Sequence, residues 1–169
     1  MRKIIFNPCI LWLTGLSGSG KTSISLELQK LLINKKIKKI KVIDGDIFRK
    51  KIKNYLYNQK SRDIVGLKKL SLAKGFLKKG FLVIVTGIAA NKIWRKKIKK
   101  KTPNFFEIYI KCPIYICKKR DFKNIYQSSK NYQKYQEGDS KDLVINSKNV
   151  KKKNAAKKIV HFLMNKKYL

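Results

Sequence analysis

Eight residues near the N-terminus, residues 15–22 with the sequence GLSGSGKT, match the pattern G-x-x-x-x-G-K-[ST] at every fixed position. The pattern is typical of a loop that binds nucleotide phosphates, because its glycines let the backbone curl until successive N–H groups point at a phosphate. We expect Lys21 to reach the β- and γ-phosphates of ATP, and the Thr22 hydroxyl to ligate Mg²⁺. The residues assigned to this phosphate loop are Gly15, Leu16, Ser17, Gly18, Ser19, Gly20, Lys21 and Thr22.

The segments on both sides of the phosphate loop support this assignment. Residues 10–14 form a short apolar run that predicts a buried strand, and residues 23–32 carry apolar side chains at the spacing of a helix. A strand, a glycine-rich loop and a helix are the setting that the pattern requires, and the helix adds the positive end of its dipole. A chance match to the bare pattern has a probability of roughly one per cent, and this setting lowers it further.

Two of the nine acidic residues, Asp44 and Asp46, flank Gly45 directly after a second apolar run at residues 40–43. Phosphoryl transfer needs one carboxylate near Mg²⁺ and one that orients or deprotonates the acceptor hydroxyl. The alternative is a simple turn in which Asp46 caps a helix. Because a phosphate loop is predicted on the neighbouring strand, the catalytic interpretation is favoured. The catalytic candidates are Lys21, Asp44 and Asp46, the candidate metal ligands are Thr22 and Asp44, and which aspartate acts on the hydroxyl stays open.

Apolar runs alternate with helical patterns along the chain, which predicts an α/β fold with a central parallel sheet of about five strands and helices on both faces. Residues 127–141 lack apolar periodicity and predict a long loop, either a lid or an ordinary surface loop. Nothing resembles a linker, so residues 1–169 are expected to form a single domain. Strands are predicted at residues 10–14, 40–43, 81–85, 105–110 and 143–145, and helices at residues 23–32, 46–56, 61–79 (capped by Ser61), 91–101, from 113 onward, and 154–165.

The composition argues against several classes of protein. The hydrophobic fraction of 43% is ordinary for a globular chain, and no run of about 18 apolar residues predicts a membrane span. The apolar N-terminal stretch is interpreted as the strand that leads into the phosphate loop, not as a secretion signal. Three cysteines (Cys9, Cys112 and Cys117) without metal-ligand spacing predict buried thiols in a reducing compartment, and therefore a cytoplasmic protein.

The formal net charge is +34, and only five of the 43 basic residues are arginines. Such an excess of lysine fits a compositional bias of the genome as well as a field that gathers anionic ligands. A nucleic-acid-binding protein is the competing interpretation from another class, but the aromatic residues fall mostly in predicted strands and no recognition motif is present. Nucleic acid is therefore not the expected partner, and the sequence leaves a homodimer open.

Three segments resemble motifs of the adenylyl-sulfate kinase family. Residues 42–49, VIDGDIFR, resemble its L-D-G-D-x-x-R segment, and residues 116–126, ICKKRDFKNIY, resemble its C-E-x-R-D-P-K-G-L-Y segment. The phosphate loop resembles the loop that these kinases carry. The three motifs occur in the family's order and cover most of residues 10–126. The resemblance implies a three-layer P-loop kinase fold that uses ATP and Mg²⁺ to phosphorylate the 3′-hydroxyl of adenosine 5′-phosphosulfate in sulfate assimilation.

The resemblance also implies roles for individual residues. Asp46 would orient the acceptor hydroxyl, and Arg62 would grip the acceptor's anionic group. Tyr57 would stack on the acceptor base, and Arg120 would lie against the adenine of ATP. The candidate substrate site consists of Asp46, Arg49, Tyr57, Arg62 and Ile88.

The acceptor side departs from the family pattern more than the donor side. The family's F-I-S-P segment is here Gly87-Ile88-Ala89-Ala90, so its serine is replaced by Ala89, and Val65 stands where an asparagine is expected. Residues 127–141 lack the family's F-T-G-I-D run and hold only Tyr132, Tyr135 and Asp139 in loosely comparable places. The alternative acceptor is another nucleotide-linked or small anionic molecule, such as a cytidine-linked phosphoramidate. Nucleoside monophosphate kinases fit less well, because the lid contains no arginine.

Overall fold

The structure, a computed structural model, describes residues 6–122, 124–127 and 134–169. Within these residues, each predicted strand and helix is present, and strands and helices alternate as expected. The strands are β1 (Ile10–Thr14), β2 (Ile40–Ile43), β3 (Leu82–Thr86), β4 (Phe105–Lys111) and β5 (Leu143–Asn146). The helices are α1 (Lys21–Asn34), α2 (Gly45–Lys51), α3 (Gln59–Lys78), α4 (Lys92–Lys100), α5 (Ile114–Lys119) and α6 (Lys152–Asn165).

The described strands form one sheet in which every pair is parallel, in the order β2-β3-β1-β4-β5. The residues of the central strand β1 alternate between its two faces. Leu11 and Leu13 belong to an apolar core shared with α1 and α6, whereas Ile10 and Trp12 belong to a second core shared with α3 and α4. Helices thus cover both faces, which confirms the three-layer fold and explains the continuous apolar run in β1.

The phosphate loop follows β1 at the point where the strand order reverses. β1 pairs with β3 on one side and with β4 on the other, so the loops at the carboxyl ends of these strands diverge and leave a crevice. Residues 15–20, 44 and 87–91 follow β1, β2 and β3 at this edge. The topology therefore brings together the segments that carry the predicted chemistry.

The three cysteines are buried free thiols, as the sequence predicts. Burial raises the pKa of Cys9 to about 12. Burial, together with the neighbouring Cys112 side chain, raises the pKa of Cys117 to about 12 as well. Both thiols therefore stay protonated and unreactive at neutral pH. Among the described helices, none has the length and apolar character needed to cross a membrane.

Helix α2 is shorter than the sequence predicts. A helix is expected over residues 46–56, but α2 ends at Lys51. The chain then turns, and NH1 of Arg49 donates hydrogen bonds to Oδ1 of Asn54 at 3.1 Å and to the Leu56 carbonyl at 2.7 Å. These bonds stabilise the turn relative to a continued helix. Because they depend on a side chain that folds back, no local sequence pattern indicates them.

Neither helix cap considered from the sequence is present: Ser61 is predicted to cap α3, and a cap by Asp46 is the alternative to the catalytic interpretation. Asp44, and not Asp46, caps α2, because its Oδ1 accepts hydrogen bonds from the backbone N–H groups of Asp46 at 2.9 Å and Ile47 at 3.2 Å. Asn58, and not Ser61, caps α3 through a 2.9 Å bond from the Ser61 N–H to its Oδ1. Asp44 and Asn58 both have the extended backbone that a capping residue needs.

The described part of the predicted loop at 127–141, residues 127 and 134–141, contains neither helix nor strand, in agreement with the sequence. Tyr132 and the rest of residues 128–133 lie outside the described residues, as do residues 1–5 with the stretch considered as a secretion signal.

Candidate active site

A cavity of about 440 Å³ opens at the carboxyl edge of the sheet, and most of the predicted site residues line it. Gly15, Ser19 and Asp44 do not line this cavity, and Leu16 lines a smaller neighbouring one. The predicted residues that line the main cavity are Ser17, Gly18, Gly20, Lys21, Thr22, Asp46, Arg49, Tyr57, Arg62, Ile88 and Arg120.

Glycines in the phosphate loop let its backbone pack closely against neighbouring backbone, besides letting the loop curve. Gly15 has a φ of 138°, and a Cβ there would collide with the carbonyl oxygen of Ile110. Gly18 has a φ of 74°, and a Cβ there would lie 2.8 Å from the carbonyl oxygen of Cys117. The loop is thus pressed against β4 and α5, and any other residue at these two positions would be strained.

Lys21 is buried and folds back over the phosphate loop. Its Nζ donates hydrogen bonds to the carbonyl oxygens of Gly15 at 3.0 Å and Leu16 at 2.5 Å, and to Oγ of Ser19 at 3.3 Å. Helix α1 starts here, and Gly20 supplies no side chain to cap its first N–H groups. An ammonium group and a helix N-terminus at one place form a site for an anionic phosphate.

Asp44 connects two loops through its carboxylate. Its Oδ2 accepts hydrogen bonds from the hydroxyls of Thr22 at 2.8 Å and Thr86 at 3.0 Å, while its Oδ1 caps α2. Burial raises the pKa of this carboxyl, but the hydrogen bonds from both threonines and from the α2 backbone outweigh burial and hold the pKa below its ordinary value. Asp44 is therefore ionised at neutral pH.

Thr22 and Asp44 fit a magnesium ion, because Mg²⁺ prefers oxygen ligands and is commonly held by one or two protein oxygens plus phosphates and water. A cluster of three or more His, Cys, Asp or Glu side chains with the spacing of a metal cage is absent from the described part of the chain. Asp46, in the first turn of α2, lines the cavity instead of joining this threonine cluster. The two aspartates therefore occupy different surroundings.

Arg49, Tyr57 and Arg62 form a group on the acceptor side of the cavity. The guanidinium carbon of Arg49 lies 4.6 Å from the centre of the Tyr57 ring, and that of Arg62 lies 5.7 Å from it. Nε of Arg62 also donates a 2.6 Å hydrogen bond to the Tyr57 carbonyl. Burial, reinforced by the charge of Arg49, lowers the pKa of Arg62 to about 10, so both guanidinium groups are charged at neutral pH.

Arg120 and Phe122 lie at the mouth of the cavity, after α5. Arg120 is exposed, and a Cβ on Gly18 would lie 3.4 Å from the Cβ of Arg120, so this residue packs against the phosphate loop. Phe122 is 96% exposed and lines the cavity. The Tyr126 hydroxyl donates a 2.8 Å hydrogen bond to the Ser17 carbonyl, which fastens this segment to the loop. Sequence reasoning did not single out Phe122, although an aromatic side chain in a charged segment is a signal for stacking.

Lys69 is a second residue of the cavity that sequence reasoning missed. It is 4% exposed, lies on α3 between the buried residues Val65 and Ala73, and lines the cavity. The signal in the sequence is a lysine in the middle of a buried stripe with four-residue spacing. Val65 and Ala89, which depart from the family pattern, line the same cavity.

The segment at 134–141 is fastened to the body of the protein by Arg95. This buried guanidinium pairs with Glu107 (Nε to Oε1, 2.7 Å), and its NH2 donates a 2.5 Å hydrogen bond to the Gln136 carbonyl. Its guanidinium carbon lies 4.7 Å from the centre of the Tyr135 ring. NH1 of Arg95 donates to the carbonyl of Ala89, so one side chain contacts both the predicted lid and the acceptor side of the cavity.

Comparison with known proteins agrees with this geometry. A family model described as adenylylsulphate kinase matches residues 7–143. The cytidine diphosphoramidate kinase of Campylobacter jejuni subsp. jejuni is 39% identical over 126 residues, covering 74% of this chain and 73% of that protein. The probable adenylyl-sulfate kinase of Bacillus subtilis is 34% identical over 126 residues, covering 73% of this chain but only 63% of that protein.

Among solved structures, the Mycobacterium tuberculosis APS kinase CysC in complex with AMPPNP and APS is similar, with a TM-score of 0.83 at 25% identity. The match covers 95% of this chain and 99% of that one. The fold thus agrees with the solved structure, and the residues matched by the family model include the phosphate loop and the Asp44–Asp46 turn. The chain belongs to the adenylylsulphate kinase family of ATP-dependent phosphotransferases.

Proposed function

We propose that this protein transfers the γ-phosphoryl group of ATP to the 3′-hydroxyl of adenosine 5′-phosphosulfate. One observation carries the proposal: the phosphate loop, Asp46 and the Arg49–Tyr57–Arg62 group line one cavity, with the Thr22–Asp44 hydrogen bond at its edge. A donor site, a metal site and a cationic acceptor site are the parts that phosphoryl transfer between nucleotides needs.

On the donor side, the residues of the loop bind and neutralise the phosphates of ATP. The Lys21 ammonium would exchange its bonds to the loop carbonyls for bonds to phosphate oxygens, and the first N–H groups of α1 would face the same charge. Thr22 and Asp44 would hold Mg²⁺, which when bound offsets the charge that develops on the phosphates. Asp44 is suited to this because its pKa is held low.

On the acceptor side, Asp46 is the proposed general base. The acceptor oxygen attacks the γ-phosphorus, the bond to the β-phosphate oxygen breaks, ADP leaves, and the hydroxyl proton passes to the Asp46 carboxylate. Asp46 suits this role better than Asp44, because Asp46 lines the cavity whereas Asp44 does not and bonds to Thr22, Thr86 and the α2 backbone.

Arg49, Arg62 and Tyr57 would hold the anionic group and the base of the acceptor. Guanidinium planes suit both oxyanions and ring faces. NH1 of Arg49 also stabilises the turn after α2 by hydrogen bonds to Asn54 and Leu56. This arginine therefore positions the acceptor site besides lining it.

A cytidine-linked phosphoramidate is the second candidate acceptor. Two observations favour it: the 39% identity to a cytidine diphosphoramidate kinase, and the presence of Val65 and Ala89 in the cavity where the family pattern has polar side chains. Both candidates pair a nucleoside with a charged group. We infer a reducing, cytoplasmic setting for either reaction, because the three thiols are buried and unpaired.

The proposal is tested by incubating the purified protein with ATP, Mg²⁺ and each acceptor separately, and by identifying the product by mass spectrometry and ³¹P NMR. We expect a 3′-phosphorylated nucleotide from adenosine 5′-phosphosulfate, with ADP formed in equal amount. A product only from cytidine diphosphoramidate would favour the second candidate. Normal ATP binding without a product from either acceptor would refute both.

A further inference from the structure

Lys69 places a positive charge at the floor of the cavity, where a buried side chain is costly to charge. Its Nζ donates a 2.8 Å hydrogen bond to the carbonyl oxygen of Thr86, at the end of β3. The same Nζ lies 5.1 Å from the centre of the Trp12 ring. The aliphatic stem of Lys69 is thus enclosed between α3 and the sheet, and its ammonium reaches the edge of the sheet where the reacting groups lie.

Gly87 makes room for this ammonium. A Cβ built on Gly87 would overlap Nζ of Lys69, and a Cβ on Gly45 would lie 3.4 Å from it. The family's F-I-S-P segment begins with a phenylalanine at the position of Gly87. The position of the Lys69 ammonium therefore depends on Gly87, because any side chain at position 87 would push the ammonium away from this place.

Protein groups accept only part of the hydrogen bonds that the Lys69 ammonium can donate. An ammonium has three N–H donors, and within the described residues the hydrogen bond to Thr86 is the one that Nζ makes. No carboxylate in the described part of the chain lies within ion-pair distance of it. Burial, together with the positive charges of Arg49 and Lys21, lowers the pKa of Lys69 to about 7, although Asp44 and Asp46 act against this. A buried cation in a cleft with spare donors is typical of a residue that meets a ligand.

We propose that Lys69, whose ammonium has room because Gly87 has no side chain, is a specificity-determining residue. Lys69 donates a hydrogen bond to a charged oxygen of the acceptor. The proposal rests on the proposed kinase function and specifies its substrate class: a nucleotide-linked acceptor with a phosphate, phosphosulfate or phosphoramidate oxyanion that reaches the pocket floor. The oxyanion would complete the bonding of the ammonium and, by its charge, favour the protonated amine.

This role compensates for the polar groups missing from the same cavity. Val65 and Ala89 line it in place of side chains that could donate hydrogen bonds. Lys69 lies one helical turn from Val65, so it supplies a donor from the same face of α3. The cavity therefore offers a charged donor from Lys69 and lacks the neutral donors that the family pattern has at positions 65 and 89.

Three single substitutions test the proposal. Lys69→Met keeps the length and the apolar stem but removes the ammonium. Gly87→Ala keeps Lys69, but its methyl group occupies the space that Nζ needs. Lys68→Met is the matched control, because Lys68 is the neighbouring lysine on α3 and is exposed. Circular dichroism and the urea midpoint of each variant show whether it is folded.

The measurements are equilibrium binding of adenosine 5′-phosphosulfate and of cytidine diphosphoramidate with ADP and Mg²⁺ present, and kcat and KM for ATP and for each acceptor. We expect acceptor binding to weaken about tenfold or more in Lys69→Met and Gly87→Ala, as is typical of a lost hydrogen bond to a charged group. The KM for ATP of both variants should stay within about twofold of the wild-type value. Lys68→Met should match the wild type in acceptor binding and in kinetics.

The outcomes separate this proposal from the proposed function. Equal acceptor binding by the wild type and Lys69→Met, or a rise in the KM for ATP alone, overturns the role of Lys69 and leaves the kinase reaction standing. Weaker binding in both variants without turnover by the wild type supports Lys69 and overturns the proposed reaction. Absence of binding of either acceptor to the wild type overturns both.

Discussion

The hydroxyl of Thr22 donates a 2.8 Å hydrogen bond to Oδ2 of Asp44, and this bond joins the phosphate loop after β1 to the turn after β2. The hydroxyl of Thr86, at the end of β3, donates to the same oxygen at 3.0 Å. Oxygen atoms from three adjacent strand ends therefore meet at one point. This convergence supports a magnesium site at Thr22 and Asp44 and leaves Asp46, on the cavity side, for the acceptor.

Replacing Lys21 by alanine should lower kcat by about a hundredfold or more, because the charge that neutralises the transferring phosphoryl group is lost. The fold should persist, since the hydrogen bonds from Nζ to Gly15, Leu16 and Ser19 lie within the phosphate loop and not in the apolar cores. Lys30→Ala, an exposed lysine on the same helix, is the control. Near-normal ATP-dependent phosphorylation by Lys21→Ala would mean that this loop is not the donor site.

Asparagine substitutions should distinguish the roles of Asp44 and Asp46. Asp46→Asn keeps the volume but removes the proton acceptor, so kcat should fall by about a hundredfold while ATP binding changes little. Asp44→Asn should weaken Mg²⁺-dependent ATP binding and, because Asp44 caps α2, also lower the free energy of unfolding. Titration calorimetry with ATP and Mg²⁺ distinguishes the two. If Asp46→Asn damages ATP binding as much as turnover, Asp46 belongs to the metal side and Asp44 becomes the better candidate for the hydroxyl.

The buried Lys69 should make stability depend on pH. Its pKa falls from 10.5 to about 7 on folding. Below pH 7 the amine is charged in both states and the full cost of burying it is present. As the pH rises from 7 towards 10.5, the folded protein releases this proton while the unfolded chain keeps it, so the contribution to the free energy of unfolding increases.

Urea denaturation of the wild type and Lys69→Met between about pH 6 and about pH 10 measures this effect. The wild type should gain stability relative to the variant across that window, while the many exposed lysines contribute equally to both proteins. A difference that stays constant with pH would show that Lys69 keeps an ordinary pKa in the folded protein.

Residues 127–141 should act as a lid that closes over the bound nucleotides. Hydrogen exchange in peptides from this segment should slow when an ATP analogue and the acceptor are both bound, because closure excludes water. Residues 134–141 should show protection even in the free protein, since Arg95 binds Gln136 and packs on Tyr135. Arg95→Met should remove that basal protection. Exchange that is the same in the free and the ternary states would identify an ordinary surface loop.

Restoring the two polar side chains should show whether the acceptor site has changed by drift or is adapted to another acceptor. If the departures at Val65 and Ala89 are drift, the Val65→Asn/Ala89→Ser variant should bind adenosine 5′-phosphosulfate more tightly, by about fivefold for each hydrogen bond regained. If the site is adapted to another acceptor, the variant should gain nothing with this compound and lose activity with its own acceptor. Steady-state kinetics with both acceptors decides between these results.

The sequence by itself determined the features that depend on local pattern. The phosphate loop follows from residue type and spacing. The parallel sheet and the buried thiols follow from periodicity and residue type, and the structure confirms both. A run such as residues 10–14 predicts its own burial, because a strand covered on both faces must be apolar throughout. The turn at Asp44–Asp46 was likewise visible as two scarce carboxylates at a strand end.

Only the tertiary structure decided the features that depend on side chains from distant elements. Helix α2 stops early because Arg49 reaches Asn54 and Leu56, and no periodicity shows a guanidinium folding back. The ammonium of Lys69 lies in the cavity because α3 packs against β3 and Gly87 leaves a space, a relationship between residues that are far apart in the chain. Amino-acid type sets which groups are available, but packing sets which of them meet.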